Sequence, residues 1–210
     1  MSFKIGYLPL SKVNWTNDTL EAARENALKF LKSLPDVEVI GPDHMLTLEG
    51  EAIELLEQFE KDRPDLLITH FMTFSLGVVP PMFAQRLNVP VVLWSMKEPD
   101  PKGGRLQNNS FCAANMNAHH MYRLHIPYFH VHAEPGTSDA AEKITKVVNT
   151  AKAMKALREM RVGLIGGRVP GFYTSCVSEM LLRRCLGPEV KIITANELFT
   201  CAQHLTHEEV

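Results

Sequence analysis

Leu66-Leu67-Ile68-Thr69-His70-Phe71, followed further on by Val89-Pro90-Val91-Val92-Leu93-Trp94-Ser95-Met96, is the pair of segments that decides the fold. Each is a short, nearly unbroken apolar run between turn-forming residues: Arg63-Pro64-Asp65 precedes the first, and Asn88 precedes the second. A strand with one wet face alternates apolar and polar residues, whereas a strand covered on both faces does not. These two therefore read as strands in the interior of a parallel sheet.

Working outward, the same rhythm repeats. Phe3 to Leu10 reads as a first strand, and Val37 to Ile40, closed by Gly41-Pro42, as a second. Between them, residues from about Asn17 to Ser33 carry an apolar stripe at Leu20, Ala23, Ala27, Phe30, Leu31 and Leu34, with Asp18 and Glu21 at capping-box spacing. Glu51 to Lys61 reads as a helix whose apolar side is Ile53, Leu56 and Phe59. Residues from Ser75 to Asn88 are expected to be helical, with Pro80-Pro81 starting or interrupting the helix. Ser110 to His125 is a further helix, Tyr128 to Ala133 a strand, and Asp139 to Arg158 a long helix opened by Asp139 and Glu142. Strict alternation of strand and helix implies a parallel sheet with helices on both faces. Five such units make the flavodoxin-like count.

Past Arg158 a new unit begins: a strand at Arg161 to Gly167, a helix at Thr174 to Leu186, and a strand at Val190 to Thr194. One β-α-β unit cannot cover both faces of its own sheet. The expected organisation is an N-terminal α/β domain over 1–158 and an incomplete opening of a second α/β domain over 159–210. The competing organisation adds the two late strands to the first sheet as a single seven-stranded domain.

Composition excludes several classes of function. The chain has 210 residues, is 45% hydrophobic and carries a formal net charge of -2. A nucleic-acid binder would present a basic face, and none is visible. No apolar run reaches membrane-spanning length, and the first residues enter a strand without a signal-peptide core. Cys112, Cys176, Cys185 and Cys201 form no C-x-x-C pair, which suits a reducing compartment, so a cytoplasmic protein is expected.

Ligands of parallel α/β folds sit beyond the carboxyl ends of the strands. Trp15, in the loop after the first strand, can stack on a sugar or cap the core. The long loop 97–109 offers Glu98 and Arg105 as ligand contacts or as ordinary solvated charges. Asn115 and His119 lie four apart and share one helix face. That face is either ligand-directed or simply polar. His130 and His132 point to one side of a strand, but lack the further ligands a metal site needs. Gly163 to Gly171 has glycines after a strand without the G-x-G-x-x-G spacing, and no P-loop or nucleophile elbow is present.

These same segments carry a resemblance. LWSMKEPDPKGGRLQNNSFCAANMNAH, RVGLIGGRVPGFYTS and KIITANEL resemble, in order, the end of the fourth strand of the first domain, the opening of the second domain and its second strand in the L-fucose/L-arabinose isomerase family. The resemblance covers essentially the whole chain, through soft motifs. It implies an N-terminal part of an aldose–ketose isomerase working through an enediol, with Mn2+ in the full-length enzyme. It also implies that catalytic residues and metal ligands lie outside this chain, which supplies monosaccharide contacts and an oligomer interface, a trimer or hexamer. By that resemblance Asn115 and His119 match the arabinose-type N-Q-T-A-H segment, where Met116 replaces the glutamine. Trp15, Glu98 and Arg105 complete the expected substrate-binding set. The sugar stays open, a phosphorylated or sulfonated one included. The alternative is a stand-alone sugar- or effector-binding module, and a flavin or nucleotide binder lacks a phosphate-cradling first loop.

Overall fold

The computed structural model describes residues 2–75, 77–100, 104 and 106–206. Arg105, one of the expected sugar contacts, lies outside the described residues, as do 101–103 of the same loop.

Five strands form one parallel sheet: β1 (Phe3–Leu10), β2 (Val37–Ile40), β3 (Leu66–Phe71), β4 (Val91–Ser95) and β5 (Tyr128–His132), in the order β2-β1-β3-β4-β5. This is the flavodoxin-like arrangement that the alternation predicts. All residues of β3 and β4 are buried, because helices cover both faces. The helices are α1 (Asp18–Ser33), α2 (Glu49–Asp62), α3 (Val79–Leu87), α4 (Ser110–Arg123) and α5 (Ser138–Glu159). On one face Leu8, Leu10, Leu67, Phe71 and Leu93 pack with α2, α3 and α4 through Leu56, Phe59, Phe83 and Met121. On the other, Ile5, Tyr7, Ile68, Val92 and Trp94 pack with α1 and α5 through Leu31, Ile144 and Val148.

Several local readings need correction. Asn17, not Asp18, caps α1: its Oδ1 accepts from the Leu20 amide at 3.0 Å. Helix α5 is likewise opened by Thr137, whose Oγ1 accepts from the Ala140 amide, while Asp139 pairs with Lys143 at 2.7 Å. In α2 the buried side is Ala52, Leu55, Leu56 and Phe59, and Ile53 is 45% exposed. Helix α3 starts only at Val79, with proline at its first positions, where a missing amide hydrogen costs nothing.

Residues 1–151 and 152–210 form two compact units. In the second unit β6 (Arg161–Ile165) and β7 (Glu189–Ile193) pair in parallel with each other as a two-stranded sheet of their own. The helix expected at 174–186 is a single 3-10 turn at Tyr173–Ser175 and a short α6 (Glu179–Cys185). After β7 comes α7 (Ala195–Gln203), an element the sequence analysis does not include, opened by a Thr194–Glu197 capping box. Leu164, Ile165 and Ile192 are all exposed. No helix among the described residues is long and apolar enough to cross a membrane.

Candidate functional site

At the carboxyl end of the sheet, hydrogen bonds tie three loops into one rim. Thr73, just after β3, accepts from the Lys12 amide at 2.7 Å and pairs with the Ser11 hydroxyl at 3.2 Å. The Phe74 amide donates to the Asn108 carbonyl at 2.8 Å. Ser110, at the start of α4, accepts from the Met96 amide and donates to the Phe71 carbonyl. The loops after β1, β3 and β4 are thereby fixed to one another.

Glu98 has an internal occupation. Its carboxylate accepts from the amides of Gln107 (2.5 Å), Asn108 (3.0 Å) and Asn109 (2.6 Å), immediately before α4. Asn109 adopts a left-handed backbone (φ 55°) and makes no side-chain cap of its own. The distant carboxylate therefore supplies the acceptor, and the favourable negative charge, that a helix entry needs. Trp15 is half-buried, with the Lys12 ammonium 5.0 Å from its ring centre.

Asn115 and His119 are exposed neighbours on α4. With Met116, Ala118, Tyr122 and Tyr128 they line an open depression of about 540 Å³. Gly77 lies against the Met116 thioether, and the Gly77 carbonyl contacts His120 Nδ1 at 3.2 Å. So the β3–α3 loop buttresses the helix behind the depression. The segment that carries the depression holds little fixed charge. From Leu106 to Ala133 only Arg123 is an Asp, Glu, Lys or Arg. Phe111 is 54% exposed and Tyr122 74% exposed on the same stretch.

The sequence reading weighed His130 and His132 as metal ligands and missed what they touch. His130 Nε2 lies 3.1 Å, and His132 Nδ1 2.9 Å, from the hydroxyl of Ser95 on β4. Phe111 packs on both rings, at 5.9 and 5.4 Å between centroids. Partial burial, with His132 and Lys143 nearby, holds the His130 pKa below the ordinary histidine value. Burial also raises the Glu134 carboxyl. Among the described residues no three His, Cys, Asp or Glu side chains are grouped to hold a metal ion.

On the opposite face His70 is fully buried. Its Nδ1 is 2.7 Å from the Tyr7 hydroxyl, and its ring stacks on Trp94 at 4.3 Å. Burial pushes its pKa down to about 3. This group is sealed from the rim and serves the core.

A five-stranded parallel sheet with helices on both faces, its carboxyl-end loops tied into one rim, defines a flavodoxin-like α/β domain. Residues 6–158 match the model described as "Fucose/sulfoquinovose isomerase, N-terminal domain", and the chain belongs to that family. It is 26% identical over 203 residues to the sulfoquinovose isomerase of Priestia megaterium, covering 97% of this chain and 45% of that protein. Over 202 residues it is 26% identical to the sulfoquinovose isomerase of Alkalicoccus urumqiensis, covering 96% and 45%. The chain thus spans about half the length of the curated relatives it matches. A periplasmic solute-binding protein from Actinobacillus succinogenes with bound D-allose aligns at a TM-score of 0.32 and 14% identity, over 92% of this chain and 58% of that one, too loosely to bear on function.

Proposed function

We propose that this chain is the N-terminal part of a metal-dependent aldose–ketose isomerase acting on a sulfonated monosaccharide, and that its share of the work is substrate contact and subunit contact. The observation that carries the reading is the pairing of Asn115 and His119 over an open depression on the uncharged α4 face. An amide and an imidazole can each donate to and accept from sugar hydroxyls. A depression open to solvent cannot exclude water by itself, so a neighbouring subunit closes it in a homo-oligomer, a trimer or hexamer. The sugar follows from the sulfoquinovose isomerases among the relatives.

Aldose–ketose conversion moves a proton between adjacent carbons and must stabilise an enediolate. The described residues offer no grouping for a metal, so no step through one is assigned to them. In the full-length enzyme Mn2+ and the acid/base carboxylates belong to residues outside this chain. Four exposed free cysteines suit a cytoplasmic setting.

The purified 210-residue chain, given Mn2+ and sulfoquinovose, is expected to show no turnover. Turnover by the chain alone refutes the division of labour. In the full-length enzyme, Asn115→Ala and His119→Ala should each raise KM about three- to tenfold, the loss of one neutral hydrogen bond. An unchanged KM in both variants removes the substrate-contact reading.

A further inference from the structure

We propose that Ser95, His130 and His132 form a second subsite on this face, built to grip two neighbouring hydroxyls of the sugar. The inference rests on the sugar reading above and extends it to residues on the sheet edge. Strand register places Ser95 opposite His132 and Leu93 opposite His130. Alternation along the strands then turns both imidazoles to the α4 side.

The chemistry comes from counting protons. The Ser95 hydroxyl is fully buried, has one hydrogen, and meets two ring nitrogens at 3.1 and 2.9 Å, with no third partner among the described residues. A buried hydroxyl that satisfies itself here donates to one ring and accepts from the other. In a neutral imidazole one nitrogen carries hydrogen and the other does not. The ring that accepts from Ser95 therefore turns an N–H outward, and the ring that donates to Ser95 turns a lone pair outward. His130 Nδ1 and His132 Nε2 thus present one donor and one acceptor, fixed as a pair by one serine. Adjacent hydroxyls of a polyol complete both, since each hydroxyl can donate and accept.

Two further observations favour a sugar over a metal ion. The inner ring nitrogens both face Ser95, and among the described residues no third His, Cys, Asp or Glu joins the two rings as a ligand group. The half-exposed Phe111 ring lies edge-on to His132 and offers an apolar surface for sugar C–H groups. Phe111, Asn115 and His119 follow one another at four-residue spacing, so the pair and the depression lie along one helix face. The charged groups around the pair are Lys97, Glu134, Asp139 and Lys143. Lys143 is engaged by Asp139 and by the His132 carbonyl.

The test is a titration of the histidine-15N-labelled full-length enzyme with sulfoquinovose, followed through the ring nitrogens. His130, His132 and His119 are expected to shift together and saturate at the same sugar concentration. Ser95→Ala should weaken binding about tenfold by freeing the tautomers. His132→Gln, at an exposed position, gives the same test without touching the core. Shifts at His119 with none at His130 or His132 overturn the subsite and leave the sugar reading standing. Silence at all three overturns both. Shifts that follow protein concentration rather than sugar assign the pair to contact between copies and overturn the subsite.

Discussion

Replacing Glu98 by alanine separates a structural carboxylate from a sugar contact. The side chain accepts three backbone hydrogen bonds, at 2.5, 3.0 and 2.6 Å, from consecutive amides at the entry to α4. A net hydrogen bond is worth roughly 0.5–1.5 kcal/mol, and this carboxylate is only half-buried, so the lower part of that range applies. Three bonds at about 0.7 kcal/mol each come to about 2 kcal/mol. For a domain of roughly 150 residues that corresponds to a fall in Tm of about 4–8 °C. Glu98→Gln keeps one carbonyl oxygen and should lose about half as much. Thermal unfolding followed by far-UV circular dichroism reads both. A variant that melts within about 1 °C of the parent, yet binds sulfoquinovose more weakly, would falsify the stapling argument and restore Glu98 as a ligand contact.

The buried His70 makes stability depend on pH. Its pKa is about 3 in the fold against an ordinary 6.5, so the unfolded chain takes up a proton that the fold refuses. Stability is complete above about pH 6.5 and falls toward pH 3 by up to about 1.4 kcal/mol per pH unit. Urea unfolding at pH 7, 6 and 5 should show this slope, and His70→Gln should flatten it; an equal slope in both chains contradicts the assignment. On α2, Ile53→Ser should change stability by less than about 0.5 kcal/mol, while Phe59→Ala should cost about 3–5 kcal/mol. Comparable losses in the two variants would mean that the helix is turned the other way.

The strands were readable because burial on both faces leaves a nearly unbroken apolar run, as in β3 and β4, while their order came from the structure. Helix faces were less secure. In α2 both Ile53 and Leu55 fit a stripe through Leu56 and Phe59, and only packing against β1 and β3 decides between them. Caps shifted by a residue where several capping types stand together, as in Asn17-Asp18-Thr19. The missed α7 did carry a signal: Thr194 and Glu197 form a reciprocal capping box. The Asn115–His119 pairing was legible because helix periodicity is local. The Ser95 contacts of His130 and His132 were not, since they depend on the register of two strands more than thirty residues apart. The same holds for Glu98, whose partners lie nine to eleven residues along a loop. The five-stranded fold and the family thus follow from the sequence, while the internal use of its polar side chains required coordinates.

The rim at the carboxyl end of the sheet also constrains how such a chain can change over generations. Ser11, Thr73 and Ser110 come from three distant parts of the sequence: the first two satisfy each other and the Lys12 amide after β1, and the third satisfies the backbone at the ends of β3 and β4. Losing Thr73 alone would strand the Lys12 amide and the Ser11 hydroxyl together, so these positions must drift in concert or hardly at all. The loop that leaves β4 hangs from this frame by Glu98 at one end and Ser110 at the other. Both ends of that loop are thus set by hydrogen bonds to the helix entry and the strand ends, so a change at either end is felt at α4 and at β3 together.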